Sequence, residues 1–222
     1  MYRVFATVIC CLCVIAPDAA FSQEQSAETK VTAAVTILLT PTRGEDGKPV
    51  VGKDGTTQFS ILIADHTNDR GHAPFGGTVE PGEKPRVAAA REAAEESRFQ
   101  FKADVILKKL NDAPEVLVGS LAMYVIVVDY VSPKAMDEAS SDGEGTWERQ
   151  GYAWMPVEVV DQIVASEDKK IPERHRSPHA KTDHMWSAFA KIYPQVKPEI
   201  ARVIRKERER RNGNPRAARD ND

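Results

Sequence analysis

The chain has 222 residues, 41% hydrophobic and 28% charged, a balance that excludes global disorder and leaves room for one domain with extensions. Its formal net charge of -3 argues against a nucleic-acid duplex as the main partner.

The first residues read as an export signal. Arg3 precedes an uncharged, mostly apolar run from Val4 to Ala16. Pro17 then breaks that run, and Ala20-Phe21-Ser22 sets small residues around a cut before Gln23. The run is shorter than the roughly 20 residues a membrane span needs. A signal peptide at 1–22 is therefore expected, with a periplasmic or secreted product that keeps no stable membrane association after cleavage. Cys10, Cys11 and Cys13 all lie inside that run, so the remainder holds neither disulfide nor thiol catalyst.

Residues 23–30 form a polar leader. Val31 to Leu39 and Phe59 to Ala64 are β-branched or apolar runs that predict strands, joined by the glycine-punctuated segment Pro41 to Thr56. His66 to Gly77 reads as a loop. Pro85 to Ser97 predicts a helix, with proline in its first turn and alanine, arginine and glutamate following. Ala103 to Lys109 and Leu121 to Val131 predict strands, and Ser132 to Gln150 a polar loop. Tyr152 to Val157 predicts a short strand and Val157 to Ala165 a helix, with further helices at Asp183 to Ile192 and from Glu199 onward. The charged run Arg205 to Arg211 suits a solvated helix end. Strands and helices in this order point to an α/β sandwich.

The segment Gly77 to Phe99, GTVEPGEKPRVAAAREAAEESRF, carries the chemistry. At about 100° per residue, Glu92, Glu95 and Glu96 share roughly one third of the helix circumference. Val87, Ala90 and Ala94 point away from them, a small-residue face suited to a sheet. Like charges so close repel unless a cation intervenes, and hard oxygen ligands suit Mg²⁺ or Mn²⁺. The plainer reading of such a face is a solvated acidic helix.

The spacing resembles the Nudix box, G-x5-E-x7-R-E-U-x-E-E-x-G-U, where U is bulky and aliphatic. The resemblance implies a Nudix-type α/β/α sandwich with a mixed sheet over 31–165, a helical C-terminal extension at 166–204 and a charged tail at 205–222. It implies Glu92, Glu95 and Glu96 as metal-ligating and catalytic residues, and Gly77 as a backbone ligand. Gly76 supports the site beside it, and Glu83 and Arg91 form the pair that braces the loop against the helix. Glu148, six residues before Trp154, matches a further glutamate that ligates metal or acts as base in some relatives; Glu144 is its runner-up. Trp154 to Glu158 resembles the strand and helix that follow the catalytic loop.

The sequence departs from the pattern at Ala93, which replaces the aliphatic residue, and at Arg98, which replaces the closing glycine and would be strained in a left-handed conformation. It also reads Pro74-Phe75-Gly76-Gly77 where an aromatic and Pro-Gly-Gly are usual.

The implied activity is divalent-metal-dependent hydrolysis of a phosphoanhydride in a nucleoside diphosphate linked to another group, or in a related organic pyrophosphate. The alternatives are a non-catalytic ligand sensor on the same fold, or a pyrophosphate isomerase or polyphosphate-type hydrolase. Trp147, Tyr152 and Trp154 are candidates for base stacking, and His66 and His72 for substrate contact. His175, His179, Asp183 and His184 suit either a zinc site or, with Arg176 and Lys181, a phosphate grip. Ordinary surface histidines are the commoner outcome.

Overall fold

The computed structural model describes residues 30–139 and 147–213; the expected signal peptide, Glu144 and the end of the expected tail lie outside them. The strands are β1 (Ala33–Pro41), β2 (Phe59–His66), β3 (His72–Ala73), β4 (Phe75–Thr78), β5 (Val116–Val118), β6 (Leu121–Val127) and β7 (Arg149–Pro156). The helices are α1 (Pro85–Glu96), α2 (Ala103–Leu110), α3 (Pro133–Glu138), α4 (Val157–Ala165) and α5 (Ser187–Gly213).

The strands form one mixed sheet in the order β3-β2-β1-β6-β5, with β4 added to β1 and β7 to β2. β1 and β6 run parallel, and the other pairs are antiparallel. Alternation along each central strand divides the core into two layers. Ala34 and Leu38 of β1, Leu62 and Ala64 of β2, and Ala122, Tyr124 and Ile126 of β6 pack toward α1 and α2. Ile37 and Leu39, Ile61 and Ile63, and Met123 and Val125 pack on the opposite side, where α4 and α5 lie. The result is the α/β/α sandwich with a mixed sheet that the motif implied.

Several local expectations change. Ala103 to Lys109 is a helix. Its Val-Ile-Leu run suggested a strand, but only Ile106 and Leu110, four residues apart, are fully buried. Asp104 in its first turn and Lys108 and Lys109 in its last also suit the helix dipole. The loop expected between His66 and Gly77 contains β3 and β4, and the one expected between Ser132 and Gln150 contains α3 and the start of β7. The two helices expected near the C-terminus are a single α5, with Pro194 and Pro198 inside it and Ile204 and Glu207 buried near its end.

After α1 the chain turns through two left-handed residues, Arg98 at φ 55° and Phe99 at φ 57°. Arg98 therefore takes the strained conformation that a glycine would adopt freely. Its guanidinium donates to the carbonyls of Asp137 at 2.6 Å and Arg149 at 3.0 Å, bracing α1 against α3 and β7.

Candidate active site

Small residues set helix α1 close to the sheet. Ala88, Ala89, Ala90, Ala93 and Ala94 are buried, and Thr36 Oγ1 of β1 donates to the Ala89 carbonyl at 2.9 Å. The buried face is rotated from the one expected: Val87 is 39% exposed and Glu96 is buried. Ala93, in place of a larger aliphatic residue, fits this close approach. β4 meets the helix through glycine. A Cβ at Gly77 would fall on the Glu92 carboxylate, and one at Gly76 on the Ala34 carbonyl and Val35.

Arg91 organises the exposed end of the site. It grips Glu83 with two bonds, Nε to Oε1 at 3.2 Å and Nη2 to Oε2 at 3.1 Å. It also donates to the Thr78 carbonyl at 3.0 Å, to Glu92 Oε1 at 2.8 Å and to Glu95 Oε2 at 3.3 Å. The forked contact holds the Glu83 carboxyl below its ordinary range and fastens the turn before α1 to the helix.

Glu96 is held separately. Arg149 of β7 donates Nε to its Oε1 at 2.7 Å and Nη2 to its Oε2 at 3.2 Å, while the Gly76 N–H reaches Oε2 at 2.7 Å. Burial pushes the Glu96 carboxyl up, against Arg149 and the Gly76 N–H, which favour its charged form. The Glu92 carboxyl is also raised, by burial first and then by its acidic neighbours Glu95 and Glu148, against the pull of Arg91. Glu148 is thus brought within electrostatic reach of Glu92, although 56 residues apart in sequence (148 minus 92).

The three helix carboxylates expected on one face divide in this way between two arginines. Among the described residues no three carboxylates or imidazoles surround a single point. The donor chemistry nevertheless fits a hard divalent cation. Glu83, Glu92 and Glu95 share the one guanidinium of Arg91, and Glu148 adds a further negative charge beside them.

A cavity of about 650 Å³ opens beside this cluster, on the side of the sheet that carries α5. Gly76, Gly77, Glu96 and Glu148 form its acidic end. Trp186, Phe189 and Ile192 give it an apolar wall, and His66, Thr67, Asn68 and Arg70 a polar one. Thr67 fixes Glu148 by its backbone, donating N–H at 3.0 Å and Oγ1–H at 3.2 Å to the Glu148 carbonyl and leaving the carboxylate exposed.

The chain after α4 builds the other wall. Asp65 accepts from the backbone N–H groups of Lys181 at 2.8 Å and Thr182 at 2.9 Å, and from the Thr182 hydroxyl at 2.6 Å. His72 N–H donates to the His184 carbonyl and Trp186 N–H to that of His72, which sets the Trp186 ring edge-on to His66 at 5.3 Å. Burial, then Arg149 and Arg70, hold His66 at about 3, so its imidazole is neutral, and its Nε2 has no partner among the described residues.

The other residues singled out from sequence fall elsewhere. Tyr152 is buried with its hydroxyl on the Glu96 carbonyl at 2.6 Å, a packing role. Trp147 lies against Phe99 and Arg98, and Trp154 against Tyr130, away from this cavity. His72 is buried beside Asp65. His179 and Asp183 share no helix, because only Glu173–His175 is helical there, and Asp183 pairs with Lys170 at 3.2 Å and Arg176 at 3.8 Å. Trp186, Arg70 and Arg149 are the residues that sequence reasoning missed. The one local clue was an aromatic residue immediately before an amphipathic helix.

Fold and site together describe a mixed sheet with an acidic helix packed on its central strand. The sequence model of the NUDIX domain matches residues 32–179, and the chain belongs to the Nudix family. It is a Nudix-type pyrophosphohydrolase. Among solved structures it is similar to a C. elegans Ap4A hydrolase in a binary complex, at 14% identity and TM-score 0.39, covering 77% of this chain and 98% of that one. No curated protein matches the chain.

Proposed function

We propose that the enzyme hydrolyses the phosphoanhydride of a nucleoside diphosphate joined to another group, with Mg²⁺ or Mn²⁺ bound at the acidic end of the cavity beside α1. The observation that carries this reading is the cavity itself, which joins the apolar wall of Trp186 and Phe189 to Glu148, Glu96 and the Gly76-Gly77 backbone. A nucleobase needs the first and a diphosphate the second.

Glu92, Glu95 and Glu148, with the Gly77 carbonyl, would hold the metal. Glu96 has lone pairs committed to Arg149 and Gly76 and would add only those that remain. The cation supplies neutralisation of the diphosphate charge and an acidified water. Glu148 accepts the proton of the attacking water at its exposed carboxylate. Arg70 faces the diphosphate as a fixed positive charge, and neutral His66 contacts the base without adding charge. Arg91 and Glu83 keep the turn before α1 from moving as charge develops.

Turnover of a pyrophosphate panel with Mg²⁺ and Mn²⁺, with product identification, tests the reading. Glu148→Gln is expected to lower kcat by about 10²-fold or more, the scale of a lost general base. Binding without turnover would instead identify a ligand sensor, and a rearranged pyrophosphate an isomerase.

A further inference from the structure

The cavity beside α1 has two flanks, and strand register fixes which residues belong to each. β1 carries β4 on one edge, with Val35 opposite Gly76 and Ala33 opposite Thr78. On its other edge it carries β6, with Ala33 opposite Leu121. Gly76 and Gly77, against the helix carboxylates, therefore lie between the two flanks. Helix α5 covers both. Trp186, immediately before it, meets His66 on the side of β2 and β3, and Ile192 follows about 9 Å further along the helix axis. Ala188, Phe189 and Ile192 share one face of α5, and all three line the cavity.

The flanks differ in chemistry. The one beside β2 and β3 offers an indole, an imidazole, a guanidinium and an amide, from Trp186, His66, Arg70 and Asn68. The other is lined by Ala33, Val35, Leu121, Ala188 and Ile192, without one polar side chain. Val35, Leu121 and Ile192 pack against the core on that side of the sheet, yet each stays only half-buried. The apolar surface they leave in the cavity is what a hydrocarbon would remove from water. A sugar hydroxyl or a further phosphate placed there would give up its water and find no side-chain partner.

We propose that the group joined to the nucleoside diphosphate is an aliphatic chain, an alkyl or isoprenyl ester, seated between α5 and the first residues of β1 and β6. This rests on the hydrolytic reading above and names the second half of its substrate. The nucleoside takes the flank of Trp186 and His66, the diphosphate the acidic middle, and the chain the flank of Val35, Leu121 and Ile192. Water oxygen bonds to one phosphorus, the bridging oxygen leaves with the other, and Glu148 takes the water proton. The products are a nucleoside monophosphate and an alkyl monophosphate.

The test compares kcat/KM, with Mg²⁺ or Mn²⁺, for the methyl, propyl and hexyl esters of adenosine diphosphate. Methyl diphosphate and hexyl diphosphate, which carry no nucleoside, are run in parallel. Each added methylene is expected to raise kcat/KM about fourfold until the flank is filled. Leu121→Thr and Val35→Thr should each cut the hexyl-to-methyl ratio at least fivefold, while Trp186→Leu lowers all the nucleoside esters alike and keeps that ratio. Threonine suits a strand and matches valine in shape, so Val35→Thr should fold even where Leu121→Thr does not, which melting verifies. Preference for hexyl over methyl diphosphate, with no turnover of the nucleoside esters, would sink the nucleoside reading and keep the aliphatic seat. Nucleoside esters cleaved at equal rates along the series would do the reverse. An unchanged ratio in both threonine variants, or no turnover of either set, also overturns the proposal.

Discussion

Arg149 and Glu96 meet at 2.7 Å with side chains only 2% and 5% exposed, a buried pair at the acidic end of the cavity beside α1. Removing one partner strands the other. Arg149→Met should cost about 3–5 kcal/mol in chemical denaturation, while the double variant Arg149→Met with Glu96→Gln should recover much of that loss. Additive losses in the double variant would show that the two residues do not act as a unit.

Glu83 and Glu95 contact the same arginine and should behave differently. Glu83→Gln breaks the two-bond fork on Arg91 and should lower stability by about 1–3 kcal/mol. Glu95 is 47% exposed, so Glu95→Gln should shift metal-free stability by no more than about 0.5 kcal/mol. It should, however, blunt the rise in Tm expected of the native enzyme with Mg²⁺ or Mn²⁺. Melting curves with and without metal separate the two effects, and a Tm that never responds to metal would remove the ligand role from Glu95.

His66 gives a dependence on pH whose sign is fixed. Its folded value of about 3 lies below the ordinary 6.5, so between these limits the unfolded chain binds more protons. The stability it contributes is complete above pH 6.5 and is lost as pH falls toward 3. His72 is lowered as well, by burial first, and acts with the same sign. His66→Gln should therefore melt with a shallower fall than the native protein on acidification from pH 6.5. Parallel curves would mean that His66 titrates normally.

Asp65 positions the cavity wall without touching the chemistry. Burial alone would raise its carboxyl, but Thr182, His72 and the Lys181 N–H together hold it below the ordinary range. Asp65→Ala leaves two backbone N–H groups without their acceptor, at about 1–3 kcal/mol for each one that stays buried. Hydrogen exchange at Lys181 and Thr182 should accelerate. KM should rise more than kcat falls, because Trp186 is released while the carboxylates stay in place. An unchanged KM would show that Trp186 does not bind substrate.

The sequence was most legible where spacing alone determines geometry. The intervals from Gly77 to Glu96 specified α1 and its Glu83–Arg91 brace but not the division of the helix carboxylates between two arginines, and the β-branched and apolar runs of β1 and β2 specified two strands of the sheet. What stayed hidden came from contacts with no local trace. Arg149 finds Glu96 across 53 positions and Asp65 finds Thr182 across 117, and neither partner predicts the other. α2 was misread because β-branched residues suit strands, although the spacing of Ile106 and Leu110 and the charges at its ends favoured a helix. Arg98 was read correctly as a strained replacement for glycine, but its bracing bonds needed α3 and β7 to be in place.

Helix α5 lines the core with Phe189, Tyr193, Val196, Ile200 and Ile204, yet it contains Pro194 and Pro198 on its exposed side. Each proline removes one rung of the helical ladder and disfavours a helix by about 3 kcal/mol relative to alanine. Such a segment has little reason to coil in water by itself. Its order is borrowed from the sheet beneath it, so the wall that carries Trp186 and Phe189 can assemble only after the strands have closed. A peptide spanning 187–213 should show little helix by circular dichroism, and in the whole protein the central part of α5 should exchange its amide hydrogens before β1 and β6 do.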